Sequence, residues 1–195
     1  MGFNIQDVKT PCYVVDRGLL IKNLEILKDV SERAGCKILL AQKAFSMFAL
    51  YPLIGKYLSG TAASGLFEAR LGHEEMGGET HVFSTAYIED EFDEILKYCD
   101  HIIFNSFSQW EKFKEKALAS GNSLGIRINP EHSTQSHPIY DPCGKGSRLG
   151  VTIRNFEEDK LEGISGLHFH TLCEQNSDAL METLKAVFRR TSSSS

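Results

Sequence analysis

The chain has 195 residues, 21 Lys and Arg against 26 Asp and Glu, and a net charge of −5. Apolar residues make up 42% and charged residues 24%, enough to bury a core, which excludes a chiefly disordered chain. The mild acidity argues against a nucleic-acid groove, and no apolar run approaches the ~18 residues of a membrane helix.

The opening Met1–Lys9 shows no basic region followed by an apolar stretch, so no signal peptide is read there. The five cysteines (Cys12, Cys36, Cys99, Cys143, Cys173) are odd in number and form no C-x-x-C pair. A reducing, cytoplasmic setting is expected rather than a disulfide framework. From Gly18 to Glu32 the apolar residues Leu19, Leu20, Leu24, Leu27 and Val30 follow a helical period. The continuous run Lys37–Ala41 fits a strand buried on both faces, and Phe45–Leu58 reads as helix again.

The alternation then repeats. Strands are predicted near Gly60–Ser64, Thr80–Thr85, His101–Asn105, Leu124–Asn129 and Ile164–His170. Helices are predicted near Leu66–Met76, Glu89–Tyr98, Ser108–Ala119 and Ser177–Phe188. The first five strands start about twenty residues apart, the mark of βα units on a parallel sheet. No Gly-x-Gly-x-x-Gly follows the first strand, which favours a (β/α)8 barrel over a doubly wound sheet. A barrel needs eight strands and ~250 residues. Only about six βα units are read here, so the expectation is an incomplete barrel. Phe188–Thr191 followed by four serines is either a flexible tail or an altered end, and the low strand count favours the latter.

In a parallel α/β sheet chemistry sits at the carboxyl ends of the strands. Lys43 stands there after an apolar strand. A closed barrel mouth would desolvate its amine, lower its pKa and free a nucleophile for Schiff-base chemistry; a solvated strand-end lysine is the bland alternative. His168 and His170 share one face of a strand and, with Cys173 and Glu174, offer metal-ligand chemistry. A histidine stacked on a planar cofactor, or one simply hydrogen-bonded, fits equally. Arg127 on an otherwise apolar strand needs an anion or a structural ion pair. Gly144–Ser147 lacks phosphate-loop spacing, His73–Glu75 lacks the second histidine of H-E-x-x-H, and no G-x-S-x-G elbow occurs.

Several separated runs nevertheless agree in order and spacing with one family. Pro11–Asp16, Leu40–Phe45, Ala63–Arg70, Arg127–Glu131, Tyr140–Cys143, Ser147–Gly150 and His168–Glu174 together resemble the carboxynorspermidine/carboxyspermidine decarboxylases. These are fold-type III pyridoxal-phosphate (PLP) enzymes with an alanine-racemase-like barrel. The resemblance runs from about Thr10 to about Val187. It implies PLP held by Lys43, with His170 stacked on its ring and Ser64 and Arg127 lining it. It implies Tyr140, Asp141, Cys173 and Glu174 near substrate, and a decarboxylation of carboxynorspermidine or carboxyspermidine to norspermidine or spermidine in polyamine biosynthesis.

The same resemblance implies a homodimer and a longer protein, with a Gly-rich phosphate loop, an acid for the pyridine nitrogen and a second β-domain after Val187. Residues 1–16 are then expected as a strand segment (Tyr13–Asp16) pairing in that β-domain, 17–188 as a partial PLP-binding barrel, and 189–195 as an altered Ser-rich tail. Weak or absent cofactor binding follows for so short a chain. Two alternatives stay open: a non-catalytic remnant of that enzyme, and a barrel metal hydrolase using His168, His170 and Cys173.

Overall fold

A computed structural model describes residues 4–191. The first long helix, α1 (Arg17–Ala34), starts where Asp16 Oδ1 accepts the Leu19 N–H at 2.9 Å and ends at Gly35, whose φ of 63° suits glycine. Strands β1 (Leu39–Ala41), β2 (Gly60–Ala63), β3 (Glu79–Phe83), β4 (His101–Phe104) and β5 (Ser123–Asn129) lie side by side in that order, all parallel. Beyond β5 the sheet divides. β7 (Gly166–His168) pairs with Gly125–Arg127, and β6 (Val151–Thr152) pairs with Ile128–Asn129 at the carboxyl end. Among the described residues the sheet is therefore six βα units of an incomplete barrel, with β1, β6 and β7 each paired on one side only, as the spacing predicted.

The strands alternate as their sequences dictate. On β3, Thr80 and Val82 are buried while Glu79, His81 and Phe83 face the concave side. The buried faces meet α3 (Leu66–Glu75), α4 (Glu89–Tyr98) and α5 (Phe107–Ser120). Phe92, Ile102, Phe104, Trp110 and Ile126 have no exposed surface in this core. Trp110 Nε1 also donates to Lys160 O at 3.1 Å, anchoring the turns before β7. Each such aromatic contributes roughly 2–3 kcal/mol of burial. A second cluster of Leu24, Tyr51, Ile54 and Leu58 seats α1 over the turn after β1.

The outcome departs from the sequence reading in four places. The helix expected over Phe45–Leu58 shrinks to a 3-10 turn (Phe48–Leu50) and α2 (Tyr51–Ile54), because Pro52 can only start a helix and the chain must first turn back from the strand end. The strand expected over Ile164–His170 is only Gly166–His168. β6 was not anticipated. Tyr13–Asp16, expected to pair only within a β-domain after Val187, pairs with no strand among the described residues, and Tyr13 is 96% exposed, which is no departure. The last helix, α6 (Ser177–Thr191), runs past the boundary expected at 188 and buries Ala179, Thr183 and Val187, a stripe at intervals of one turn. The serines expected as an altered tail, Ser192–Ser195, lie outside the described residues. All five cysteines are free thiols.

Candidate active site

At the carboxyl ends of the strands lies an open cleft of about 590 Å³. Lys43, Ser64, Arg127, Tyr140, Asp141, His168 and His170 all line it. Sequence positions as far apart as 43 and 170 meet because each follows a parallel strand and so reaches the same end of the sheet. Cys173 and Glu174 do not line the cleft and are exposed. The chain turns away after His170, and Glu174 sits in the left-handed region at φ 54°.

Lys43 is carried on a turn braced from below. Gln42 is 1% exposed; its Nε2 donates to Glu68 O at 2.8 Å, and its Oε1 accepts from Tyr51 Oη at 3.2 Å. The Glu68 carboxylate accepts the Ser64 N–H at 2.6 Å, which fixes the neighbouring turn. Lys43 itself is exposed, so the desolvation expected of a closed mouth is absent.

The opposite wall is basic. Arg127 is 5% exposed, its guanidinium carbon lies 4.6 Å from the centre of the Phe83 ring, and its Nε has no hydrogen-bond partner. Burial works against its charge and lowers its pKa. His168 stacks on the other part of this wall, 5.2 Å from Phe83 at 21°, with its buried Nδ1 unpartnered. Burial, then the charge of Arg127 and of His170, pushes His168 down to about 4. His170 is lowered by burial and then by Lys43 and Arg127. Buried nitrogen donors without partners are costly, so this wall is arranged for an anionic or aromatic guest.

The roof is the β5–β6 connection. Asn105 at the end of β4 holds it with both halves of its amide: Nδ2 donates to Arg148 O at 2.9 Å and Oδ1 accepts from Gly150 N at 2.9 Å. Asp141 Oδ1 accepts the Cys143 N–H at 2.8 Å, leaving a carboxylate at the rim beside Tyr140, which is 60% exposed. The sequence reading missed Gln42, Glu68, Phe83 and Asn105. A glutamine closing an apolar strand was the one available signal.

The metal-hydrolase alternative fails on geometry. His168, His170, Cys173 and Glu174 do not bring ligand atoms together. Among the described residues the one such grouping within 4.8 Å is Glu79, His81 and His101, at the other end of the sheet.

No protein-family model matches the chain. A carboxynorspermidine/carboxyspermidine decarboxylase of Campylobacter jejuni is 44% identical over 180 residues, 92% of this chain and 47% of the relative. A carboxyaminopropylagmatine decarboxylase of Synechocystis is 38% identical over 92% of this chain and 46% of its own length. The crystal structure of carboxynorspermidine decarboxylase with norspermidine, from Campylobacter jejuni, superposes with a TM-score of 0.85 at 42% identity, covering 94% of this chain and 47% of that one. The chain is thus similar in sequence and fold to these decarboxylases over nearly all of its own length, and spans about half the length of the curated relatives it matches. No helix among the described residues is long and apolar enough to cross a membrane.

Proposed function

We propose that this chain carries the lysine-bearing part of a PLP-dependent decarboxylase that acts on a carboxylated polyamine, carboxynorspermidine or carboxyspermidine. One observation carries the reading: Lys43, Arg127, His168 and His170 converge on one cleft, where the buried Arg127 Nε and His168 Nδ1 lack partners. Pyridoxal phosphate, when bound, supplies an aldehyde for amines and a ring that accepts the electron pair left as CO2 departs.

The residues divide the remaining work. Lys43 offers the primary amine that would hold the cofactor. The imidazole of His170, kept neutral by burial and neighbouring cations, would offer a flat face to the cofactor ring and help exclude water. Arg127 brings a fixed positive charge beneath the cleft, and Ser64 offers a hydroxyl on the wall next to Lys43. Asp141 sets a carboxylate at the rim where a substrate ammonium would lie, with Tyr140 beside it. The Synechocystis relative's name points to a guanidino analogue, so the rim contacts, not the Lys43 wall, would decide between amines. On this reading the working enzyme is a cytoplasmic homodimer, and the five free thiols support a reducing compartment.

The test is the near-visible absorption of purified protein with pyridoxal phosphate, followed by borohydride reduction and peptide mapping. A reduced adduct confined to Lys43, and lost in Lys43→Ala, supports the reading. Adducts spread over surface lysines, unchanged in Lys43→Ala, overturn it for this chain and leave a non-catalytic remnant.

A further inference from the structure

We propose that Glu79, His81 and His101 form a binding site for a divalent transition cation of the zinc class, at the end of the sheet opposite the cleft. The strand register builds it. His81 on β3 pairs directly with His101 on β4, so the two imidazoles stack face to face, centroids 3.9 Å apart and 18° from parallel, and a turn of one ring about its Cβ–Cγ bond brings both Nε2 atoms to bear on one ion. Glu79 lies two residues before His81 and therefore on the same face. Both Nε2 atoms converge on one oxygen: His81 Nε2 is 3.1 Å and His101 Nε2 3.8 Å from Glu79 Oε2. Zinc bonds of ~2.0–2.2 Å to nitrogen and oxygen put tetrahedral ligands about 3.3–3.4 Å apart, a value these separations bracket. All three ligand atoms lie within 4.8 Å of one another.

The surroundings fit a cation. Lys37 pairs with Glu79 through Oε1, which orients the carboxylate and leaves Oε2 for the ion. Asp100 adds a second negative charge one residue before His101. A cavity of about 410 Å³ borders His81, His101 and Ser123, leaving room for a fourth ligand such as water. Two imidazoles and a carboxylate with an open position suit zinc, cobalt or iron(II) rather than magnesium or calcium. None of the three ligands lines the Lys43 cleft, although Phe83 and His168 border both cavities, and the site does not rest on the proposed reaction.

The test is titration of the whole chain with Co2+, read by absorption, and with Zn2+, read by equilibrium dialysis and metal analysis. The expected result is one ion per chain, with a nitrogen/oxygen ligand-field spectrum and no thiolate charge-transfer band. His81→Asn and His101→Asn should each weaken binding beyond the ~10–100-fold that loss of an outer-shell partner costs. Absence of stoichiometric binding overturns the proposal, as does binding that survives both variants or vanishes only with Cys12→Ser or Cys173→Ser. Should the variants not fold, acylation of the wild-type chain decides. Zinc should slow modification of His81 and His101 more than tenfold and spare the exposed His137; equal rates with and without zinc overturn the site.

Discussion

The two ends of the same parallel strands handle charge in opposite ways. At the amino end Lys37, Glu79, His81 and His101 satisfy one another around a single carboxylate. At the carboxyl end Lys43, Arg127, His168 and His170 gather in a cleft whose rim holds Asp141, and two buried nitrogens stay unpartnered. Strand direction and register bring the groups together at both ends, so topology alone does not distinguish them. Among the described residues, the carboxyl end is where unpartnered buried nitrogens line an open cleft that a ligand could enter. An internally paired cluster can do without a ligand; an unpaired buried one keeps its cost until something anionic or flat covers it.

The most damaging way to break the comparison is at the strand pairing both ends share. Gly60 has φ 159°, and a Cβ there would sit 1.8 Å from the Glu79 carbonyl oxygen. Gly60→Ala should separate β2 from β3, destabilise the chain by several kcal/mol and remove soluble protein. Gly65, at the turn after β2 with open space around it, is the control: Gly65→Ala should stay within about 1 kcal/mol in urea unfolding. Equal urea midpoints for the two variants would contradict the close β2–β3 approach.

Acid sharpens the comparison next. His168 titrates near 4 when folded and near 6.5 when unfolded, so the unfolded chain takes up the proton first as pH falls. Stability should therefore be lost between about pH 6.5 and 4, by about 2 kcal/mol once its partial exposure is allowed for. His81 is also lowered, by burial, and adds to the same window from the other end. Urea midpoints from pH 7 to 4.5 should fall in the wild type and fall less in His168→Phe, which removes the titrating group while keeping a ring beside Phe83. An unchanged slope in His168→Phe would place the acid sensitivity elsewhere.

Arg127→Met separates stability from binding. Removing a buried cation that has no carboxylate partner should leave the fold unharmed or stabilise it by about 1 kcal/mol. The same change should cut pyridoxal-phosphate capture by Lys43 at least tenfold, measured by the borohydride-stable adduct. A variant that loses stability but keeps the adduct would make Arg127 a structural residue and close the contrast between the two ends.

How much of this was legible follows from what each residue looks like in one dimension. The alternation of Thr80 to Phe83 and the amphipathic Glu89–Tyr98 announce their elements, and the structure keeps them nearly residue for residue. Val151–Thr152 is too short to carry a period, and the apolar run after Lys43 imitates a helix although Pro52 delays it. In the site, charged groups ending apolar strands stand out, hence Lys43 and Arg127. Phe83 and Gln42 do not, because a strand aromatic and a buried amide read as core until their neighbours are known. Cys173 and Glu174 were placed near substrate by the resemblance, and neither lines the cleft of this chain.

The smallest expected effect tests whether the amino end is as self-sufficient as it looks. Lys37 is 62% exposed on its side chain, so its pair with Glu79 lies largely in water and should contribute within about 1 kcal/mol. Lys37→Met should leave the urea midpoint almost unmoved at low salt and at high salt. The Glu79 carboxylate, held below the usual range first by Lys37 and then by His81, should titrate closer to its ordinary value in that variant. A carboxylate shift without a stability change would show that Lys37 orients the group for His81 and His101 rather than holding the strands together. A large loss of stability would instead make the ion pair the fastening of the β1 edge, and the amino end would then be a structural joint.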